Sequence, residues 1–236
     1  MRDHTTRHLV MPTISSGLLM AGYLLLRPYG DTASSTSPEA AAAFGSPWWV
    51  VAHLAGALAL VQLARVGLRI DDLRGTPTTM LARWSGLAGV ALALPYFGAE
   101  TFGLQAIGRA GLDDPAVLQL VDEVRRHPAA LTTFGLGLPL LAVSGVCTAL
   151  AWQQAVRSGR WTAPAWAAWP LGVGAALVLP QFYLPPAGRM AFGVVFAVAA
   201  GVLAVAAARA QSPSVLRPRE TTLRSGVKTT WGSLPS

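Results

Sequence analysis

Residues 84–107 read WSGLAGVALALPYFGAETFGLQAI, an apolar run interrupted by one carboxylate, Glu100. A helix rising about 1.5 Å per residue needs about 20 residues to cross the hydrocarbon of a bilayer. In lipid every backbone N–H and C=O must find its partner within the chain, so an unbroken run of this length reads as a transmembrane helix. Five more runs of the same character accompany it, at 9–26, 47–68, 128–156, 161–184 and 190–208. The expected fold is all-α: a polytopic bundle of about six spans over residues 1–210, followed by a tail at 211–236. That tail is Ser, Pro, Thr and Arg with few large apolar residues, so it reads as a disordered, basic, cytoplasmic segment. Its cations would favour anionic lipid of the inner leaflet.

Composition agrees with lipid as the solvent. Hydrophobic residues make up 53% and charged residues 12% of the chain, and mean hydropathy is +0.46. Soluble domains carry about a quarter charged residues. The first run follows Arg2 and Arg7 as a secretory signal would, but it is longer than such an apolar region usually is and no small-x-small cleavage site follows, so it reads as a retained span. Cys147 is the only cysteine, which rules out an intramolecular disulfide and any cysteine-based metal centre, and it reads as a small buried hydrophobe.

The formal net charge is +7 and the isoelectric point about 10.7. Rather than a nucleic-acid partner, the excess marks one membrane face. Thirteen of the 18 basic residues fall in the N-terminus, the second and fourth connections and the tail. Cytoplasmic loops collect Lys and Arg, so both termini are expected in the cytoplasm of a cell (inner or plasma) membrane. Arginine used almost to the exclusion of lysine, with abundant Ala and Gly, suggests a GC-rich bacterial genome. Tryptophans agree: Trp48 and Trp49 fall at the outer end of the second span, and Trp84, Trp152, Trp161 and Trp166 near the inner ends of others, where indoles anchor at headgroups.

Between the third and fourth spans, Asp114-Pro115 reads as an N-cap and first helical residue. Val117, Leu120, Val121 and Val124 then recur at helical spacing, with Asp122, Glu123, Arg125 and Arg126 opposite. This predicts a short amphipathic helix on the outer surface. An internal repeat is also visible. Trp84, Gly89, Ala91, Leu92, Leu94, Pro95 and Phe97 match Trp169, Gly174, Ala176, Leu177, Leu179, Pro180 and Phe182 at a constant offset, as a parallel duplication of a helical hairpin would leave them. Each proline should bend its helix in the outer half.

Glu100 is the one acidic residue inside a span. An ionised carboxylate at the centre of hydrocarbon costs about 2.5–3.5 kcal/mol on insertion scales, so it should face a cavity or a partner. Gly86, Gly89, Ala93, Tyr96, Glu100 and Gly103 form a stripe at spacings of three and four, small toward the cytoplasm and polar toward the outside, and small residues let helices approach closely. Tyr96 lies one turn from Glu100. His53, at similar depth on the second span, is the expected partner, able to share a proton or polarise a ligand. Gln181 and Tyr183 map to the same outer level. The candidate ligand-binding set is therefore Glu100, His53, Tyr96, Gln181 and Tyr183, with Glu100 the one candidate acid or base. Simple hydrogen bonding of His53 to a nearby carbonyl is the plainer reading of that residue.

The chain has no phosphate-binding loop, dinucleotide glycine fingerprint, His-Glu-x-x-His, nucleophile elbow or channel filter. His53 is the only well-embedded histidine, so haem between spans is not expected. No metal and no cofactor is expected. The segment from Gly135 to Leu141, with Trp169 to Pro186 and its Leu-Pro-Gln-Phe-Tyr-Leu-Pro-Pro, resembles six-helix integral membrane proteins of high-GC bacteria, a likeness of pattern over most of the chain that implies no activity. Small integral-membrane terpene cyclases share the size, helix count and intramembrane acid, but their motifs are absent here. Three functions stand open. The first is a binding or transport-accessory protein with an outward pocket for a small, apolar or lipid-like ligand. The second is an enzyme using Glu100 on a lipid-soluble, isoprenoid-like substrate. The third is a structural subunit bound to a partner membrane protein.

Overall fold

Helix starts are written into this sequence as a capping residue followed by proline. Ser37-Pro38 opens α2 (Pro38–Gly45), Ser46-Pro47 opens α3 (Pro47–Arg74) and Thr76-Pro77 opens α4 (Pro77–Gly98). Ser37 and Ser46 accept from the backbone N–H groups of Ala40 and Trp48, and Thr76 forms a reciprocal capping box with Thr79. Each hydroxyl satisfies an N–H that the first turn leaves free, and proline at the next position lacks an N–H that would be idle anyway. Gly75, at φ 59°, ends α3 in the left-handed conformation that a side chain would resist.

The computed structural model describes residues 6–210. The expected disordered tail at 211–236 and the first five residues lie outside the described residues. The remaining elements are α1 (Val10–Leu26), extended at its start by a 3-10 turn at Thr6–Leu9, α5 (Leu104–Asp113), α6 (Leu120–Arg125), α7 (Pro128–Arg157), α8 (Trp169–Ala176) and α9 (Pro186–Arg209). A π-turn at Ala99–Gly103 joins α4 to α5, so Pro77–Asp113 is one continuous rod. The described residues are thus all-helical, with five helices long and apolar enough to cross a membrane: Thr6–Leu26, Pro47–Arg74, Pro77–Asp113, Pro128–Arg157 and Pro186–Arg209. Val194, Val195, Val198 and Val205 stand exposed along the outside of α9, and Leu54 and Leu58 along α3, a surface suited to lipid.

The expected continuous helix at 161–184 is not formed. Only Trp169–Ala176 is α-helical there, followed by a turn and a 3-10 helix at Pro180–Tyr183. Pro180 is the cause: it cannot donate to the carbonyl of Ala176 and its ring collides with it, so α8 stops at that residue. The chain nevertheless travels the length of the bundle. The Pro164 carbonyl accepts from the Trp152 indole at the far end of α7, while Leu184 shares a cleft with Leu131 at the near end. Six traverses follow, five of them unbroken helices. The repeated motif folds differently in its two copies: Leu94 to Phe97 stay helical within α4, whereas Pro180 to Phe182 belong to the 3-10 turn.

Small residues set the packing. α4 lies against α7 and α3, and α1 lies between α3 and α9. A Cβ placed on Gly89 would stand 2.7 Å from the Gly137 carbonyl oxygen, so α4 and α7 meet backbone to backbone. Ser144 on α7 donates to the Ala82 carbonyl at 2.6 Å across the same interface, and Thr6 to the Ala207 carbonyl at 2.6 Å joins the first and last spans.

Two surface expectations are corrected. Trp49, Trp152 and Trp161 are buried, not headgroup anchors; Trp48, Trp84 and Trp166 are the exposed ones. The 115–125 segment is helical with one buried face, as expected, but its phase differs from the expected one. It begins as a 3-10 turn (Pro115–Gln119), with the Asp114 carboxylate accepting from the Ala116 N–H as expected. The tighter turn shifts the phase: Leu118 and Val121 are buried, Leu120 is exposed, and Arg125 turns toward the bundle. Val121 packs with Ala40, Phe44, Trp49 and Leu104 in a small second core that clips α2 and α6 onto α3 and α5.

Candidate functional site

Every α-helical carbonyl normally accepts from the N–H four residues on. In the π-turn the N–H of Leu104 instead reaches back to Ala99, five residues away, and so releases the carbonyl of Glu100. The indole of Trp49, buried one turn into α3, takes that carbonyl at 2.7 Å. One extra residue in α4–α5 therefore welds the rod to α3 and fixes the side chain of Glu100 between them.

The buried carboxylate finds its counter-ion on α6. Arg125 Nε donates to Glu100 Oε1 at 2.8 Å and its Nη2 to Oε2 at 3.3 Å. The same Nη2 donates to Asp31 Oδ2 at 2.9 Å, and Arg27, just beyond α1, donates to that oxygen at 2.7 Å. Arg27, Asp31, Arg125 and Glu100 thus form a continuous chain of alternating charge, linking the end of α1, the connection after it, α6 and the π-turn. Burial opposes ionisation of Asp31, but Arg27 and then Arg125 outweigh it and hold its carboxyl below the ordinary range. Burial likewise works against charge on Arg125, and Glu100 and Asp31 overcome it and push its pKa up. The guanidinium faces are covered by rings: Arg27 lies 4.8 Å from the centre of a Trp49 ring and Arg125 lies 5.1 Å from that of Phe44.

The structure brings three of the expected residues together. Tyr96 donates its hydroxyl to Glu100 Oε1 at 3.2 Å, the contact expected of residues one turn apart. His53 is buried between Trp49 and Tyr23, with Nε2 3.9 Å from Glu100 Oε2, which is near but too long for a hydrogen bond. Its Nδ1 lies 2.7 Å from the Trp49 carbonyl. A carbonyl only accepts, so Nδ1 is assigned the proton; this is the plainer reading of His53, whose Nε2 lies close to Glu100 without a hydrogen bond to it. Tyr183 is highly exposed at the rim. Gln181 is buried at 2% exposure, does not line the cleft, and has neither side-chain polar atom partnered among the described residues.

These groups line a cleft of about 930 Å³ at the end of the bundle where the connection after α1, α6 and the 180–186 turn gather. Its other walls are apolar, among them Phe97, Leu131, Phe134, Leu179 and Phe182. Tyr96 and Phe134 stack at 4.4 Å between centroids. Arg189 of α9 also lines the cleft, held to the carbonyls of Phe182 and Leu184. Among the described residues no three His, Cys, Asp or Glu side chains gather as a metal set.

Sequence reasoning named Glu100 but not its true partner. Helical spacing alone puts Arg125 on the face opposite the apolar one, and it assigns none of Arg27, Asp31, Arg189 and Trp49 to the site. One signal was present: a lone carboxylate within a span needs a nearby cation, and only the connections at its own end of the bundle could supply one. No protein-family model matches the chain, and neither does any curated protein or any solved structure, so the chemistry of this cleft alone carries the functional reading.

Proposed function

We propose that the protein is a binding or transport-accessory protein of the cell membrane, with both termini cytoplasmic, whose outward-facing cleft takes a small or lipid-like ligand beside Glu100 and His53. The observation that carries this reading is the cleft itself. Its volume of about 930 Å³ lies within the usual range of ligand sites of roughly 300–1,000 Å³, and apolar walls converge on a few fixed polar groups. The asymmetry of basic residues supports an outward cleft, because the connections with fewer cations are those that gather there.

The same geometry weakens the alternative of an enzyme using Glu100 as acid or base. Both carboxylate oxygens already accept from Arg125, and Oε1 accepts from Tyr96 as well. Glu100 is spent as an anchor, and Arg125 would have to leave before it could serve a substrate. A purely structural subunit gives no reason for an open cleft beside this polar cluster. Mass spectrometry of a lipid extract of the purified protein tests the reading. A defined, stoichiometric co-purifying molecule, lost when Phe134 and Phe182 are replaced by Trp to fill the cleft, supports it. Bulk phospholipid alone, unchanged by those replacements, overturns it.

A further inference from the structure

The charges lining the cleft do not cancel. Three guanidinium groups, Arg27, Arg125 and Arg189, face two carboxylates, Asp31 and Glu100. Both carboxylates are already engaged, Asp31 by Arg27 and Arg125, and Glu100 by Arg125. Arg189 is left with no carboxylate among the described residues. Its Nε and Nη2 donate to backbone carbonyls, and among the described residues no hydrogen bond is made by its Nη1. Arg27 keeps an unsatisfied donor: its Nη1 is buried and has no hydrogen-bond partner among the described residues, in a side chain only 6% exposed. Arg27 and Arg189 line the same cleft. Holding one guanidinium without a counter-ion and a second with an unsatisfied donor at one apolar cleft is costly, and an anion between them would remove the cost. The unpartnered buried carboxylate oxygen at the cleft, Asp31 Oδ1, belongs to a carboxylate already flanked by two guanidinium groups.

The apolar half of the cleft supplies the rest. Leu179, Phe182 and Phe134 line it together with Leu131 and Leu184, both of which are exposed. A soluble anion would have no use for that lining.

Resting on the binding function proposed above, we infer that the ligand is an anionic amphiphile, with a carboxylate or phosphate head between Arg189 and Arg27 and a hydrocarbon chain along Phe134, Leu179 and Phe182. Arginine suits such a head because its planar fork donates two parallel hydrogen bonds to one carboxylate or phosphate.

The experiment uses the full chain in a neutral detergent, with saturable shifts of the unfolding midpoint as readout. Four probes are compared: a sixteen-carbon carboxylate or alkyl phosphate, the methyl ester of the same acid, the amine of the same chain, and inorganic phosphate. The expected result is saturable stabilisation by the anionic chain, with affinity at least about tenfold above that for the ester, the scale of one charge-assisted hydrogen bond. Arg189→Gln should erase that preference, and Arg189→Lys should restore part of it. The ester comparison needs no variant, so it holds even if Arg189→Gln folds poorly. Equal binding of ester and acid, or preference for the amine, would overturn the anionic head while leaving the cleft a ligand site. Inorganic phosphate matching the alkyl phosphate would overturn the amphiphile in favour of a soluble anion. Saturable binding by none of the four would sink both this inference and the binding function beneath it.

Discussion

Replacing Arg125 by Met removes the one cation within ion-pair distance of Glu100 other than His53, while Asp31 keeps Arg27. The side chains of Glu100 and Asp31 are 10% and 5% exposed and that of Arg125 is 22% exposed, so water reaches the guanidinium more than its partners. Removing one member of a buried ion pair costs about 3–5 kcal/mol, and partial solvent access lowers that here to about 2–3 kcal/mol. Glu100→Leu is expected to cost less, about 1–2 kcal/mol, because Arg125 retains Asp31 and water. The double variant should cost well under the sum, since no charge is then stranded, giving a coupling of about 1–2 kcal/mol. Glu100→Gln should be milder than Glu100→Leu because the amide keeps the shape and an acceptor oxygen. The matching cycle between Glu100 and His53 should be additive within about 0.5 kcal/mol, because 3.9 Å is beyond a hydrogen bond. Equilibrium unfolding in mixed micelles of rising anionic detergent measures all of these. If Glu100 and Arg125 add within about 0.3–0.5 kcal/mol, the ionic chain does not hold the site together.

Other measurements check other levels of the structure. Asp31, whose folded pKa lies below its ordinary 3.8, contributes stability that is present above that value and lost as pH falls through the lower folded one. Unfolding midpoints followed from pH 6 downward should therefore drop below about pH 4, and Asp31→Asn should shrink that drop; an unchanged profile in the variant would refute the assignment. Gly89→Val should destabilise by about 1–3 kcal/mol or prevent folding, because its Cβ would meet the Gly137 carbonyl at 2.7 Å; wild-type stability would contradict the backbone contact. Single cysteines at Ser35 and Gln119 should label from one side of the membrane and those at Thr76 and Ser158 from the other, since six traverses alternate the connections. Any other division would refute the traverse count.

What could be read in the sequence was what depends on neighbours along the chain. Five of the six expected spans coincide with long helices because backbone satisfaction in lipid is settled within each segment. The caps at Ser46-Pro47, Thr76-Pro77 and Asp114-Pro115 are local in the same sense, each made by a hydroxyl or carboxylate and an N–H two or three residues apart. The failure at 161–184 was also local and was legible in principle. Pro180 stands four residues after Ala176, where the helix ends, and the hydropathy of the run concealed the missing donor.

The inward stripe on the third span shows where such reading gives out. Gly86, Gly89, Ala93 and Glu100 are buried as the spacing requires, but beyond Pro95 the buried face slips by one residue. Phe97 rather than Tyr96 is enclosed, and Leu104 rather than Gly103, whose added Cβ would meet nothing. The shift at Phe97 already lies within α4, four residues on from Ala93, and only the shift at Leu104 lies past the π-turn, which has no signature in hydropathy. Its stabilisation is non-local: the Trp49 indole, fifty-one positions away in sequence, takes the carbonyl it frees. The side chain of Glu100 is met by Arg125, twenty-five positions away and displaced from its expected solvated face by a 3-10 turn that altered the phase of its helix. Backbone defect and ion pair are therefore one feature. The defect turns the carboxylate and its carbonyl toward different partners, and each partner fixes an element that bounds the cleft, α3 by Trp49 and α6 by Arg125. On that account the loss of Trp49 and the loss of Arg125 should open the same site by separate routes, one by releasing the rod and the other by releasing the clip.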